Sequence, residues 1–322
     1  MSMRTVVAVL RGGPSSEYEV SLKTGASVLE HLDREKYEPR DIFITRKGEW
    51  HHSGIPMFPE RALRGVDVAF NAMHGEFGED GGVQRLLEVL KIPYTGSGTV
   101  ASALAFNKQR TKLAVEKLGV KVPRGIVVDK GPDIEEQALH IFRTFPHPAI
   151  VKPVIGGSSV GMTLADSFYA LKSGLERAFQ IAPKVLVEEY IKGKEATVGV
   201  IENFRGERSY ALFPIEIVPP VKSAFYDYDA KYAGETQLVT PGNFSENEKQ
   251  ELQRIARMAH DTLGLSHYSR SDFIVSKRGI YFLEVNTLPG LTEHSNMPHA
   301  LKAVGSKLSE FLDHIISLAR RK

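Results

Sequence analysis

Short apolar runs of strand length alternate along the chain with longer stretches of helical spacing. Residues 5–10 form an apolar strand broken by Gly12-Gly13-Pro14, and residues 15–32 lead into a helix. A second strand covers 66–73, a helix 84–90, and a strand running into a tight turn 91–98. A helix at 107–118 is stopped by Gly119. Strands at 122–128 and 149–154 flank a helix at 133–143, and an amphipathic helix at 167–179 precedes a strand at 185–191. Segments 195–202 and 210–218 form an antiparallel pair around a turn at 203–208. Residues 219–242 have no period, as expected of a lid. Ser245-Glu246-Asn247-Glu248 is a capping box that opens a helix ended by Gly264. The chain closes on an amphipathic helix at 301–319.

Chemistry concentrates in residues 269–295. Two β-rich segments, 269–276 and 280–286, flank the turn Lys277-Arg278-Gly279. Alternation puts Arg270, Asp272 and Ile274 on one face, and Phe282, Glu284 and Asn286 on a face of the second strand. If those faces match, Asp272, Glu284 and Asn286 converge as hard oxygen donors suited to Mg²⁺. Polar residues alternating along a strand also mark a merely solvated face. Glu284, however, lies between Leu283 and Val285 in an apolar run, where a carboxylate needs a cation or hydrogen-bond donors. Leu288-Pro289-Gly290 is a turn that exposes a backbone N–H, and an Arg beside such a group can stabilise an oxyanion.

Composition narrows the class. The 322 residues are 42% hydrophobic and 25% charged, with net charge +2, so nothing global points to a nucleic-acid or membrane partner. The absence of cysteine excludes disulfides, thiolate metal sites and cysteine nucleophiles. No apolar run approaches the roughly 20 residues of a membrane span. The start reads as a first strand rather than a signal peptide, and a cytoplasmic location is expected.

Candidate residues sit at strand ends and glycine turns. Glu17, after the first glycine turn, either receives a ligand's ammonium or simply favours the helix dipole. His74 opens the loop His74-Gly75-Glu76-Phe77-Gly78-Glu79-Asp80 and either contacts substrate or is structural. Lys108 either reaches a phosphate or is solvated. Lys152, in Ile150-Val151-Lys152-Pro153-Val154, should be partly buried beside an anion. The loop Gly156-Gly157-Ser158-Ser159 that follows offers backbone N–H groups and hydroxyls to a polyphosphate, although it is no Walker A loop. Glu188 and Glu195 are strand-end acids that either read a nucleotide or are solvated.

The order of these features is similar to that of the ATP-grasp enzymes, and within them the sequence resembles the D-alanine–D-alanine ligases. The likeness rests on GGPSSEYEVSL, HGEFGEDG, PYTGSGTVASALAFNK, VKPVIGGSSVGM, YDYDAKY and LEVNTLPGLTEHS, in the family's order. It implies a combined α/β and α+β architecture, the ATP-grasp fold. An N-terminal Rossmann-like α/β domain would span 1–104, a small central α+β domain 105–188, and a C-terminal α+β domain 189–322, with a lid at 219–242. It implies ATP as substrate, two Mg²⁺ or Mn²⁺ per site held by Asp272, Glu284 and Asn286, and two D-alanines joined through a D-alanyl phosphate for peptidoglycan precursor synthesis. Glu17 would take the first D-alanine's ammonium with His74 nearby. Lys108 and Lys152 would contact ATP phosphates, Ser158 and Ser159 would cover them, Glu188 with the backbone of Glu189, Tyr190 and Ile191 would bind adenine, and Glu195 ribose. Phe225 and Lys231 would act from the lid, and Tyr232 would close it against Ser158 and Glu17. Arg270 and the Gly290 N–H would form the oxyanion hole, and Ser295 with Gly290 would hold the second carboxylate. The likeness further implies a homodimer, and from the charge balance no nucleic-acid or membrane partner is expected. Asn296 stands where the family usually has Leu, which leaves the second-substrate pocket open, whereas Tyr232 stands where D-lactate ligases often have His and argues for the dipeptide. A different second substrate such as D-serine or D-lactate, or a non-catalytic nucleotide-binding module, is the alternative.

Overall fold

A computed structural model describes residues 4–157, 160–219 and 237–321. Among them the strands form three sheets. The first contains β1 (Thr5–Gly12), β2 (Tyr37–Ile44), β3 (Trp50–His52), β4 (Ile55–Met57) and β5 (Val68–Asn71) in the order β4-β3-β2-β1-β5. β1 runs parallel to both β2 and β5. Successive β1 side chains enter opposite cores. Val7 and Val9 join one cluster, and Ala8 and Leu10 join another, so both faces are covered, as a parallel sheet requires. Helix α1 (Tyr18–His31) and the two C-terminal helices cover the first face. α2 (Pro59–Ala62) and α3 (Gly82–Val89) lie toward the second.

Helices α4 (Thr99–Phe106) and α5 (Lys108–Glu116) follow. Asn107 caps α5 by accepting the Arg110 N–H at 3.0 Å. Ala105 and Val115 pack into the core of the third sheet rather than the second. The second sheet orders β6 (Gly125–Asp129), β7 (Ala149–Pro153), β8 (Thr163–Ala165) and β9 (Lys184–Glu189) as β6-β9-β7-β8. It is backed by α6 (Ile134–Thr144) and α7 (Phe168–Ile181).

The third sheet runs through β13 (Gln237–Val239), β12 (Ile215–Val218), β10 (Lys194–Phe204), β14 (Tyr268–Ser276) and β15 (Gly279–Asn286), with β11 (Glu207–Ala211) also paired to β10. Its core faces α8 (Glu246–Thr262), whose Ser245–Glu248 capping box forms as expected. The strand expected at 210–218 is two strands, because Pro214 cannot continue a ladder. The terminal helix is likewise two, α9 (Asn296–Ala303) and α10 (Leu308–Ala319), separated at Gly305, whose φ is 71°. Residues 91–98 hold only an isolated bridge, Ala69 to Tyr94. The strands β2 to β4 escaped the sequence pattern, since Pro39 and charged residues interrupt their apolar positions.

Candidate active site

The β14–β15 hairpin pairs Arg270 with Asn286 and Asp272 with Glu284. The register shifts after Asp272, and Leu283 is left as the extra residue of a bulge. The expected common face of Phe282, Glu284 and Asn286 therefore fails at Phe282. That ring turns into the core against Phe273, centroids 5.7 Å apart. The bulge lets Leu283 and Glu284 line one cleft. That cleft also gathers Lys108, Lys152, Gly156, Gly157, Glu195, Arg270, Asp272 and Asn296.

Charges in the cleft are matched. The Arg270 guanidinium donates from Nε to Asp272 Oδ1 at 2.9 Å and from Nη2 to Oδ2 at 2.8 Å, a bidentate pair. Thr197 Oγ1 donates to Asp272 Oδ1 at 2.6 Å. Lys108 Nζ lies 3.5 Å from Glu284 Oε2 and donates to the Gly156 carbonyl. Its backbone N–H donates to Val154 O at 3.0 Å, stitching the start of α5 to the base of the glycine loop. Lys108 is thus committed to the site rather than solvated. Asp272 and Glu284, opposite each other, and the nearby Asn286 amide are oxygen donors that fit Mg²⁺ or Mn²⁺. Asn286 Oδ1 already accepts the Leu288 N–H at 2.9 Å and has a second lone pair left.

Behind the cleft, Glu188 is buried between two lysines. Lys152 Nζ lies 2.9 Å from Oε2, and Lys112 Nζ contacts Oε1. Burial disfavours the Glu188 charge, but the two lysines outweigh it and hold the carboxyl below its usual range. Burial likewise opposes the charge of Lys152, whose pKa is nonetheless raised by Glu188 and Glu284. Glu189 turns away to Arg278 at 3.2 Å. Of the expected adenine-binding backbone, the N–H groups of Glu189 and Tyr190 donate to Arg124 O and Pro148 O. The expectation narrows to the Ile191 N–H and the segment's carbonyls.

A second corner lies at the carboxyl ends of β1 and β5, where open α/β sheets place ligands. Glu17 and His74 are both buried there. His74 Nε2 and Thr24 Oγ1 lie 2.8 Å apart. A Cβ on Gly75 would come within 3.1 Å of Glu17 Oε2, and one on Gly157 would run into the same carboxylate. The glycine loop and Glu17 therefore meet, and the corner opens toward the cleft. A Cβ on Gly290 would lie 2.9 Å from Ser295 Oγ and 4.0 Å from Thr24 Oγ1, so Gly290 and Ser295 border the corner too. Ser158, Ser159, Phe225, Lys231 and Tyr232 lie outside the described residues.

Two residues tied to the site by hydrogen bonds were missed from the sequence, Lys112 and Glu79. Glu79 accepts the Gly75 N–H at 2.8 Å and the Leu288 N–H at 3.2 Å, tying the His74 loop to the turn before Gly290. Burial, then the neighbouring Glu17 charge, push its carboxyl up to about 8. Its place in the acid-rich loop was visible, but its partner lies 209 residues away.

Comparison with known proteins follows the same lines. The family described as D-ala D-ala ligase C-terminus matches residues 114–317, and its N-terminus counterpart matches 6–60 and 53–97. The D-alanine–D-alanine ligase of Syntrophotalea carbinolica is 40% identical over 313 residues, covering 97% of this chain and 95% of that protein. Among solved structures, VanG D-Ala:D-Ser ligase from Enterococcus faecalis superposes with a TM-score of 0.84 at 32% identity, covering 98% and 100% of the two chains. D-alanyl-alanine synthetase A from Vibrio cholerae gives 0.85 at 28% identity and covers both chains fully.

Proposed function

The chain belongs to the D-alanine–D-alanine ligase family, and from that premise we propose how its cleft performs the reaction. It is an ATP-dependent ligase that joins two D-alanines. The observation that carries the site assignment is the single cleft in which Arg270, Asp272, Glu284, Lys108 and Lys152 meet, with Gly157 bridging to Glu17.

A carboxylate is a poor acyl donor, so the first D-alanine is activated. Glu17 holds its ammonium, and its carboxylate oxygen attacks the γ-phosphorus of ATP. The bond to the β-bridging oxygen breaks, giving D-alanyl phosphate and ADP. Lys108 and Lys152 neutralise phosphate charge during that transfer. Asp272, Glu284 and Asn286 would hold the Mg²⁺ or Mn²⁺, which supplies further neutralisation when bound. The amine of the second D-alanine, its carboxylate held at Gly290 and Ser295, then attacks the acyl carbon. Arg270 and the Gly290 N–H stabilise the tetrahedral oxyanion, phosphate leaves, and the amine's proton is lost. A lid over the site would keep water from the acyl phosphate. The pair of metal ions, a cytoplasmic location and a homodimer belong to this proposal on family likeness; no helix among the described residues is long and apolar enough to cross a membrane.

One observation favours a second reading. Asn296, buried at the cleft, offers an amide to a second substrate bearing a hydroxyl. Phosphate release with ATP, Mg²⁺ and D-alanine, with D-serine and D-lactate run alongside and products weighed by mass spectrometry, tests both. D-alanyl-D-alanine from D-alanine alone is expected. Turnover only when D-serine is added would move the second substrate, and no D-alanine-dependent turnover would reject the ligase.

A further inference from the structure

Helix α5 carries two site lysines one turn apart. Lys108 reaches the glycine loop and Glu284, while Lys112 is buried and reaches Glu188. Glu188 is approached from the other side by Lys152. On the paired strands Ile150 lies opposite Glu188 and Lys152 opposite Leu186, so Lys152 is the diagonal neighbour of Glu188. One buried carboxylate thus carries two ammonium groups. Lys152 lines the cleft where phosphates would lie, whereas Lys112 does not line it. Only Lys152 is placed to leave.

We propose that Lys112 is a positioning residue for nucleotide recognition: it keeps Glu188 compensated and aimed when Lys152 passes to the phosphates, so that the released Glu188 oxygen accepts the adenine amino group. The proposal rests on the adenine role given to Glu188 above. A carboxylate buried this deeply that lost one lysine to ATP, with no second behind it, would be an unpaired charge in a dry site and would take up a proton or turn away. Lys112 removes that conflict. Its own titration fits. Burial draws its pKa down to about 7, with Glu188 pulling it up and Lys152 pushing it down, so the departure of Lys152 strengthens the Lys112 charge when Glu188 needs it.

The test compares ATP with purine riboside 5′-triphosphate, which lacks the amino group. Wild type is expected to favour ATP by about 10-fold in kcat/KM, the worth of one charge-assisted hydrogen bond. K112M should raise KM for ATP and bring that ratio close to one, leaving KM for D-alanine unchanged, while K112R should keep the ratio. A wild-type ratio in K112M would overturn the proposal. Should K112M not fold, K112Q carries the same test with the same two outcomes. E188M, which removes the acceptor oxygen, separates the premises. A wild-type ratio in E188M rejects adenine recognition by Glu188 altogether, whereas a flattened ratio in E188M beside a preserved one in K112M rejects only the role of Lys112.

Discussion

Arg270 is held by Asp272 through two parallel hydrogen bonds, and a planar fork fixed in that way is pre-oriented rather than searching among rotamers. That fixes the direction in which its remaining N–H groups point, which an oxyanion donor requires. Arg270→Ala should lower kcat by ~10²–10³-fold and leave nucleotide affinity close to wild type, measured by steady-state rates beside ATP titration. A wild-type kcat would remove Arg270 from the oxyanion hole. Arg270 and Asp272 were legible in the sequence because a period of two puts them on one face, and Glu284 because a carboxylate in an apolar run needs a partner. Lys112 and Glu79 were not. Lys112 sits in a helix rich in Lys and Arg, where a solvated lysine is the ordinary outcome, and its partner is 76 residues distant. Only the fold makes that helix position an interior one.

At the scale of elements, the hairpin shows how local chemistry departs from the ideal pattern. A regular β15 would have sent Phe282 and Glu284 to the same side. The bulge at Leu283 sends the ring to the core and the carboxylate to the cleft, and so resolves a conflict between packing and function within three residues. Bulges leave little trace in hydrophobic alternation, which is why the sequence did not show it. The glycine loop is tuned in the same way. Gly157 lies against the Glu17 carboxylate with no room for a methyl group. Gly157→Ala should therefore displace Glu17 and raise KM for D-alanine by about 10-fold, or about 1.4 kcal/mol, with KM for ATP changed less. Equal rises in both constants would mean that the methyl group perturbs the nucleotide side instead.

Across the whole molecule, the cleft exists because three sheets bring their functional edges together. The first sheet supplies Glu17 and His74 from the carboxyl ends of its parallel strands. The second supplies Lys152 and Glu188, and the third supplies Arg270, Asp272 and Glu284. Helix α5 crosses from the third sheet's core to the second sheet's glycine loop and carries both Lys108 and Lys112. Most of the longer strands were foreseeable, though β2 to β4 of the first sheet were not, and the motif order made the family legible. The packing of α4 and α5 on the third sheet was not foreseeable, since it depends on contacts among elements far apart in sequence. The central claim is that the first D-alanine's carboxylate oxygen attacks ATP, and isotope transfer tests it most directly. With D-alanine labelled by ¹⁸O in both carboxylate oxygens, each dipeptide formed should release a phosphate carrying one ¹⁸O, read by mass spectrometry. Phosphate free of ¹⁸O alongside dipeptide formation would contradict the acyl-phosphate route and the roles given to Lys108, Lys152 and Arg270.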